Sequence, residues 1–230
     1  MTDMNDKVDF DKYTDNYNEL LREGTQFFSS SEEYFASYKV DLVASRESAR
    51  SVNRVLEYGC GIGRNIPYLQ RAFPQAEVVG TDISAASLEQ ARRDYPQARF
   101  EVETADLDVG SFDLIFIAGV FHHIPPSERV GAAGAVARRL NPGGSVYVFE
   151  HNPYNPVTRR IVNNCPYDAD AVLLKPLELK RLLAGAGLTP AGDGYCLFIP
   201  PRFARLAPLE KHLAWLPLGG QYWVGGKAPA

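Results

Sequence analysis

The chain has 230 residues, 45% of them hydrophobic, which suits one domain with a sizeable core. With 24 Lys and Arg against 28 Asp and Glu the formal charge is −4, so the basic surface expected of a nucleic-acid binder is missing. No apolar run approaches the ~20 residues of a membrane span, and Met1-Thr2-Asp3-Met4-Asn5-Asp6 is unlike a secretory signal. Cys60, Cys165 and Cys196 have no close pairs, which fits a reducing cytoplasm. No Cys-x-x-Cys or His-x-x-x-His spacing points to a metal, so none is expected.

In chain order, Ser30 and Glu33 form a capping box for a helix to about Arg46, with Phe35, Tyr38 and Leu42 on one face. Arg54–Tyr58 is a strand. A helix from about Arg64 to Ala72 follows, with Pro67 in its first turn. Glu77–Thr81 is the next strand. Ser84 caps a helix striped by Leu88, Ala91 and Tyr95. Arg99–Glu103 is a short strand, and Phe112–Ala118 reads as one buried on both faces. Val130, Ala133, Ala137 and Leu140 mark a helix, ended by the turn residues Asn141-Pro142-Gly143-Gly144 before a strand over Ser145–Glu150. Leu179, Leu182, Leu183 and Ala186 give a last amphipathic helix, and Tyr195–Ile199 and Gln221–Val224 suggest an antiparallel edge hairpin. Strands alternating with helices imply a mostly parallel sheet with helices on both faces.

The densest signal is Glu57-Tyr58-Gly59-Cys60-Gly61-Ile62-Gly63-Arg64-Asn65. Alternate glycines between a strand and a helix let a ligand approach backbone that carries no Cβ. The spacing Gly-x-Gly-x-Gly differs from the Gly-x-Gly-x-x-Gly of dinucleotide-binding loops. Nineteen residues past Gly63, Asp82 ends the second strand. A carboxylate there suits a ribose diol, because it accepts hydrogen bonds from both hydroxyls.

Together these motifs resemble the cofactor site of class I S-adenosylmethionine-dependent methyltransferases. The resemblance spans roughly residues 10–190 and is strongest at 55–83 and 112–150. It implies a Rossmann-like α/β fold of seven strands, the last antiparallel, in a single domain over residues 1–230. Residues 1–50 would form a helical lid, in which Tyr13 and Tyr17 share one face over the sulfonium. It also implies cofactor contacts at Glu57, Gly59, Cys60, Gly61, Gly63, Asn65, Asp82, Ile83, Ala118 and His123. The adenine amine would meet Asp106, beside Leu107, with Asp108 the alternative.

His122 and His123 follow the fourth strand, where ligands sit in open α/β sheets. Either imidazole could serve as a general base, or the pair could simply close the cofactor pocket. Residues 151–175 form the expected acceptor-side cover. His151, Asn152, Tyr154 and Arg159 are candidates to touch the acceptor, and Tyr154 to join His122 and His123 in catalysis. A loop braced by its own hydrogen bonds is the plainer reading of this stretch. The expected reaction is methyl transfer from S-adenosylmethionine to a small-molecule acceptor by in-line displacement, with no nucleic acid or membrane partner and the oligomeric state left open. One rival cyclises the cofactor's aminocarboxypropyl chain and releases methylthioadenosine. Another is a non-catalytic, cofactor-binding regulatory subunit, and the glycine spacing disfavours a nicotinamide-dependent dehydrogenase.

Overall fold

The computed structural model describes residues 32–200, 203, 205, 206 and 209–230. Seven strands form one sheet: β1 (Arg54–Tyr58), β2 (Glu77–Asp82), β3 (Arg99–Val102), β4 (Phe112–Ala118), β5 (Leu140–His151), β6 (Thr189–Cys196) and β7 (Gln221–Lys227). The order is β3-β2-β1-β4-β5-β7-β6. Neighbours from β3 through β5 pair in parallel, whereas β7 is antiparallel to both β5 and β6. The strand order reverses between β1 and β4, and their carboxyl ends open the crevice in which such sheets bind ligands.

Successive residues of a strand face opposite sides, and both sides of the central strands are buried. Leu114 and Phe116 of β4, with Tyr147 and Phe149 of β5, pack on α1 (Glu32–Glu47), α2 (Ile66–Ala72) and α3 (Ala85–Asp94). Ile115, Ile117, Val146 and Val148 join the opposite cluster, with α4 (Arg129–Arg138) and α6 (Pro176–Gly185). This explains why β4 reads as a continuous apolar run. The remaining helices are α5 (Pro156–Asn164) and the short α7 (Glu210–Leu213).

Buried Glu47 ends α1 and accepts hydrogen bonds from Tyr147 Oη at 2.7 Å and Arg50 Nη1 at 2.8 Å. The same Arg50 nitrogen reaches Ser145 Oγ at 2.9 Å, so the end of α1 is tied to β5. Ser84 caps α3 as expected, its hydroxyl accepting from Ser87 N at 3.1 Å. Ser84→Ala should therefore cost about 1 kcal/mol, read as a melting temperature lower by a few degrees.

Two expectations change. β5 runs through Asn141–Gly144 rather than beginning at Ser145, and its register against β4 shifts between Phe112 and Leu114. The turn residues act as an irregularity within the strand, braced by Asn141 Nδ2 donating to Asp113 Oδ1 at 2.8 Å. β6 occupies Thr189–Cys196, not Tyr195–Ile199, and it is the edge strand; β7 lies inside, between β5 and β6. The chain leaves β6 at Leu197 with φ +61°. Buried Glu210 then accepts the N–H groups of Leu197, Phe198 and Ile199 at 2.9–3.1 Å. The ladder ends there because these donors turn to a side chain.

Candidate active site

Two cavities open at the carboxyl ends of β1, β2 and β4. The first, about 220 Å³, is bordered by the glycine loop, α1, α5 and the His122–His123 turn. The second, about 530 Å³, runs along Ile83, Glu103, Val120 and the start of α4. They share Gly59, Asp82, Gly119, His123 and Tyr167.

The loop between them is held from beneath. Gly59 N and Cys60 N both donate to Thr81 O, at 2.8 and 2.9 Å. Asp82 accepts from Gly61 N at 2.7 Å and from Ser84 N at 2.9 Å, so one carboxylate joins the loop to the start of α3. Gly59 and Gly61 take φ values of +71° and +52°, the left-handed region that suits glycine. A Cβ on Gly61 would meet nothing within 4 Å, since that backbone faces open cavity. Gly63 differs: a Cβ there would meet the Tyr95 ring at 3.0 Å, so this glycine serves packing against α3.

Glu57 is 1% exposed. Its Oε1 accepts from Asn65 Nδ2 at 2.6 Å, whereas Oε2 is buried without a hydrogen bond among the described residues. Burial drives its pKa up to about 8 against the opposing pull of Asn65 and Lys39. Burial and the nearby Arg64 bring Lys39 down to about 8. A buried carboxylate oxygen lacking a donor fits an ammonium group. An open glycine backbone beside an acid at the end of β2 fits a ribose. These residues therefore suit an adenosyl amino acid.

The opposite wall is a buried cluster of ionisable groups. His122 Nδ1 lies 2.6 Å from Glu150 Oε2, and Glu150 Oε1 also accepts from Phe121 N at 2.8 Å. Burial opposes a charge on His122, but Glu150 and Asp168 outweigh it and raise its pKa to about 9. Burial and the charge on His122 lower both His123 and His151 to about 4. His151 stands with its ring centroid 5.0 Å from that of His122. Tyr167 meets His123 edge-on at 5.4 Å.

Gly59, Cys60, Gly61, Asn65, Asp82, Ala118, His122, His123 and His151 all line the first cavity, and Ile83 lines the second. Tyr13 and Tyr17 lie outside the described residues. Asp106 is exposed and borders neither cavity; Leu107 packs into the core, and Asp108 Oδ1 accepts from Gly110 N at 2.9 Å. Of the acids that line the second cavity, Glu103 is nearest to Asp106 along the chain, and it is paired through both oxygens with Arg139 at 2.8 and 2.9 Å.

Asn152 is fully buried and braces the 217–220 segment, donating to Gly219 O at 2.8 Å and Pro217 O at 3.1 Å. Tyr154 borders a separate hollow with Lys180 and Tyr195, and Arg159 is exposed outside both cavities. The reason is the setting of α5. Asn155 caps it, accepting from Val157 N and Thr158 N, and this presents Thr158 and Ile161 to the cavity. Arg159, about 100° around the helix from Thr158, then turns away. Residues not named as site candidates from the sequence complete the wall: Phe35 and Lys39 of α1, Arg64, Gln221, and Asp168 from within the expected 151–175 cover. Phe35 and Lys39 had one legible signal, their i, i+4 spacing on an amphipathic helix.

A methyltransferase-domain family matches residues 55–144, which hold the glycine loop, Asp82 and the His pair. A trans-aconitate 2-methyltransferase of Variovorax paradoxus is 30% identical over 164 residues, 66% of this chain. The chain spans 58% of that relative and smaller shares of others, among them 25% of a Synechococcus protein. The fold matches magnesium protoporphyrin IX methyltransferase from Synechocystis, solved with bound S-adenosylhomocysteine. That pair has a TM-score of 0.64 at 16% identity, covering 96% of this chain and 100% of the other. It matches the [4+2]-cyclase SpnF as well, with a TM-score of 0.67 at 16% identity, over 95% of this chain and 94% of that one. With its sheet order, its glycine loop and Asp82 at the end of β2, the chain belongs to the class I S-adenosylmethionine-dependent methyltransferase family.

Proposed function

We propose that the chain transfers a methyl group from S-adenosylmethionine to a small-molecule acceptor held in the first cavity, between the glycine loop and the histidine wall. The observation that carries this reading is the junction at Gly59, Asp82, Gly119 and His123, where the two cavities meet. One suits the adenosyl part, and the other leaves room for the methionyl part and an acceptor.

When bound, the cofactor supplies a methyl group on a sulfonium, already activated for displacement. The chain's task is to bind, orient and exclude water, and effective molarity can then lower much of the barrier. Asp82 would hold the ribose diol and Glu57 the amino group. α1, through Phe35, closes the side of the cavity away from the sheet. His151, neutral at pH 7, would accept the hydrogen bond of an acceptor hydroxyl and align it. Among the described residues, no helix is long and apolar enough to cross a membrane. A small acceptor agrees with the relative named for trans-aconitate.

The test is product analysis with methyl-labelled S-adenosylmethionine and a panel of small carboxylic and hydroxy acids. Label in an acceptor with one equivalent of S-adenosylhomocysteine is the expected outcome. Methylthioadenosine would replace this reading by cyclisation of the aminocarboxypropyl chain. Tight binding without any product would leave a cofactor-binding regulatory subunit. The likeness to a [4+2]-cyclase gives that analysis its weight, since one fold serves several chemistries.

A further inference from the structure

His122 and His123 arrive on the turn after β4, and Asp168 on a separate turn after α5. His122 Nε2 faces Asp168 Oδ1 at 3.5 Å, and His123 Nε2 faces the same oxygen at 3.4 Å. One donor atom from each of the three residues can be chosen so that all lie within 4.8 Å of one another. Ligands about 2.0–2.1 Å from a tetrahedral ion stand about 3.3–3.4 Å apart, so both distances to Asp168 are those of a coordination sphere.

A second observation is independent of this spacing. His122 is 2% exposed, and its Nε2 makes no hydrogen bond among the described residues. A buried imidazole nitrogen left without a hydrogen bond is costly. The other nitrogens are already spoken for: His122 Nδ1 by Glu150 at 2.6 Å and His123 Nδ1 by Asp170 at 3.2 Å. Carboxylates on the far nitrogens of two imidazoles are the usual supports of metal-binding histidines. The two turns are also locked together. Val172 N donates to His122 O at 2.8 Å, and buried Arg129 donates to both Ile124 O and Val172 O.

We propose that His122, His123 and Asp168 bind one divalent transition-metal ion at the acceptor side of the cavity. Two imidazoles and one carboxylate suit zinc or iron(II) over magnesium or calcium. Three protein ligands leave coordination positions open, as in catalytic metal sites. Resting on the methyltransferase reading, the ion's partner is an acceptor with a carboxylate or hydroxyl oxygen, which the ion would hold and, for a hydroxyl, acidify.

The full chain, stripped with a chelator and dialysed, is titrated with Co²⁺ by visible absorbance and with Zn²⁺ and Mg²⁺ by calorimetry. One equivalent of Co²⁺ or Zn²⁺ should bind, with Mg²⁺ giving no saturable heat. Asp168→Ala and His122→Ala should each weaken binding by at least about 100-fold, and Asp170→Asn by about 10- to 100-fold. Absence of one-equivalent Co²⁺ and Zn²⁺ binding to the wild-type chain overturns the proposal, as does binding unchanged in the Asp168 variant. If Asp168→Ala fails to fold by circular dichroism, the isosteric Asp168→Asn is judged by the same criterion. S-adenosylhomocysteine is titrated in parallel. Nucleoside binding without metal binding removes the metal site alone, and metal binding without nucleoside binding removes the functional reading alone.

Discussion

Asp82→Ala should lower the affinity for S-adenosylhomocysteine by roughly 10- to 100-fold, equivalent to the about 1.5–3 kcal/mol of hydrogen bonds to a charged group. The side chain has two tasks. It would accept the ribose hydroxyls, and it already accepts Gly61 N and Ser84 N. Truncation therefore removes a ligand contact and also loosens the loop from α3. Asp82→Asn keeps one acceptor oxygen and the shape of the side chain, so its loss should be intermediate. Calorimetry checks both, with circular dichroism reporting the fold. Unchanged affinity in a folded Asp82→Ala protein would contradict the ribose role.

Glu57→Gln should act in opposite directions on stability and on binding. The Glu57 pKa rises from 4.5 to about 8 in the fold, chiefly through burial. Between those values the folded chain binds more protons at this site than the unfolded chain, so the site's contribution to stability falls as pH rises. The amide of the variant cannot titrate. Without added cofactor, the melting temperature of the wild type should therefore decline relative to the variant as pH climbs from about 5 to about 8. The same substitution removes the charge offered to the cofactor's amino group, so affinity for S-adenosylhomocysteine at pH 8 should drop about tenfold or more. Parallel melting curves across this pH range, together with calorimetry, test both halves. A wild type that gains stability relative to Glu57→Gln on going to pH 8 would mean that Glu57 is already paired before the cofactor binds.

The parts legible in the sequence are those built by short-range geometry. Glu57, the glycine loop and Asp82 belong to one strand-loop-helix-strand unit, in which the spacing along the chain sets the spacing in space. β4 and the cap at Ser84 were legible for the same reason. The acceptor wall was not, because it is made by tertiary packing. The segment after Glu150 does border the cavity, but which side chains face in depends on how Asn155 starts α5. That turns Thr158 and Ile161 inward and leaves Tyr154 and Arg159 outside. Asn152 looked chemical and is a brace, its amide consumed by the carbonyls of residues 217 and 219. Asp106 is the acid that the resemblance points to for adenine, yet the chain after β3 leaves it in solvent, whereas Glu103 borders the second cavity. Asp168 falls within the expected acceptor-side cover, but nothing along the chain marks it as the residue that faces the histidines. It meets His122 and His123 only because Arg129 and the 172 amide bring two distant turns together.

The most direct measurement is a calorimetric titration of the full chain with S-adenosylhomocysteine and, separately, with NAD. One-to-one binding of S-adenosylhomocysteine in the micromolar range, about −8 kcal/mol, with no saturable heat from NAD, is the expected result. Saturable binding of NAD and none of S-adenosylhomocysteine would contradict the assignment of the glycine loop, Glu57 and Asp82 to an adenosyl amino acid.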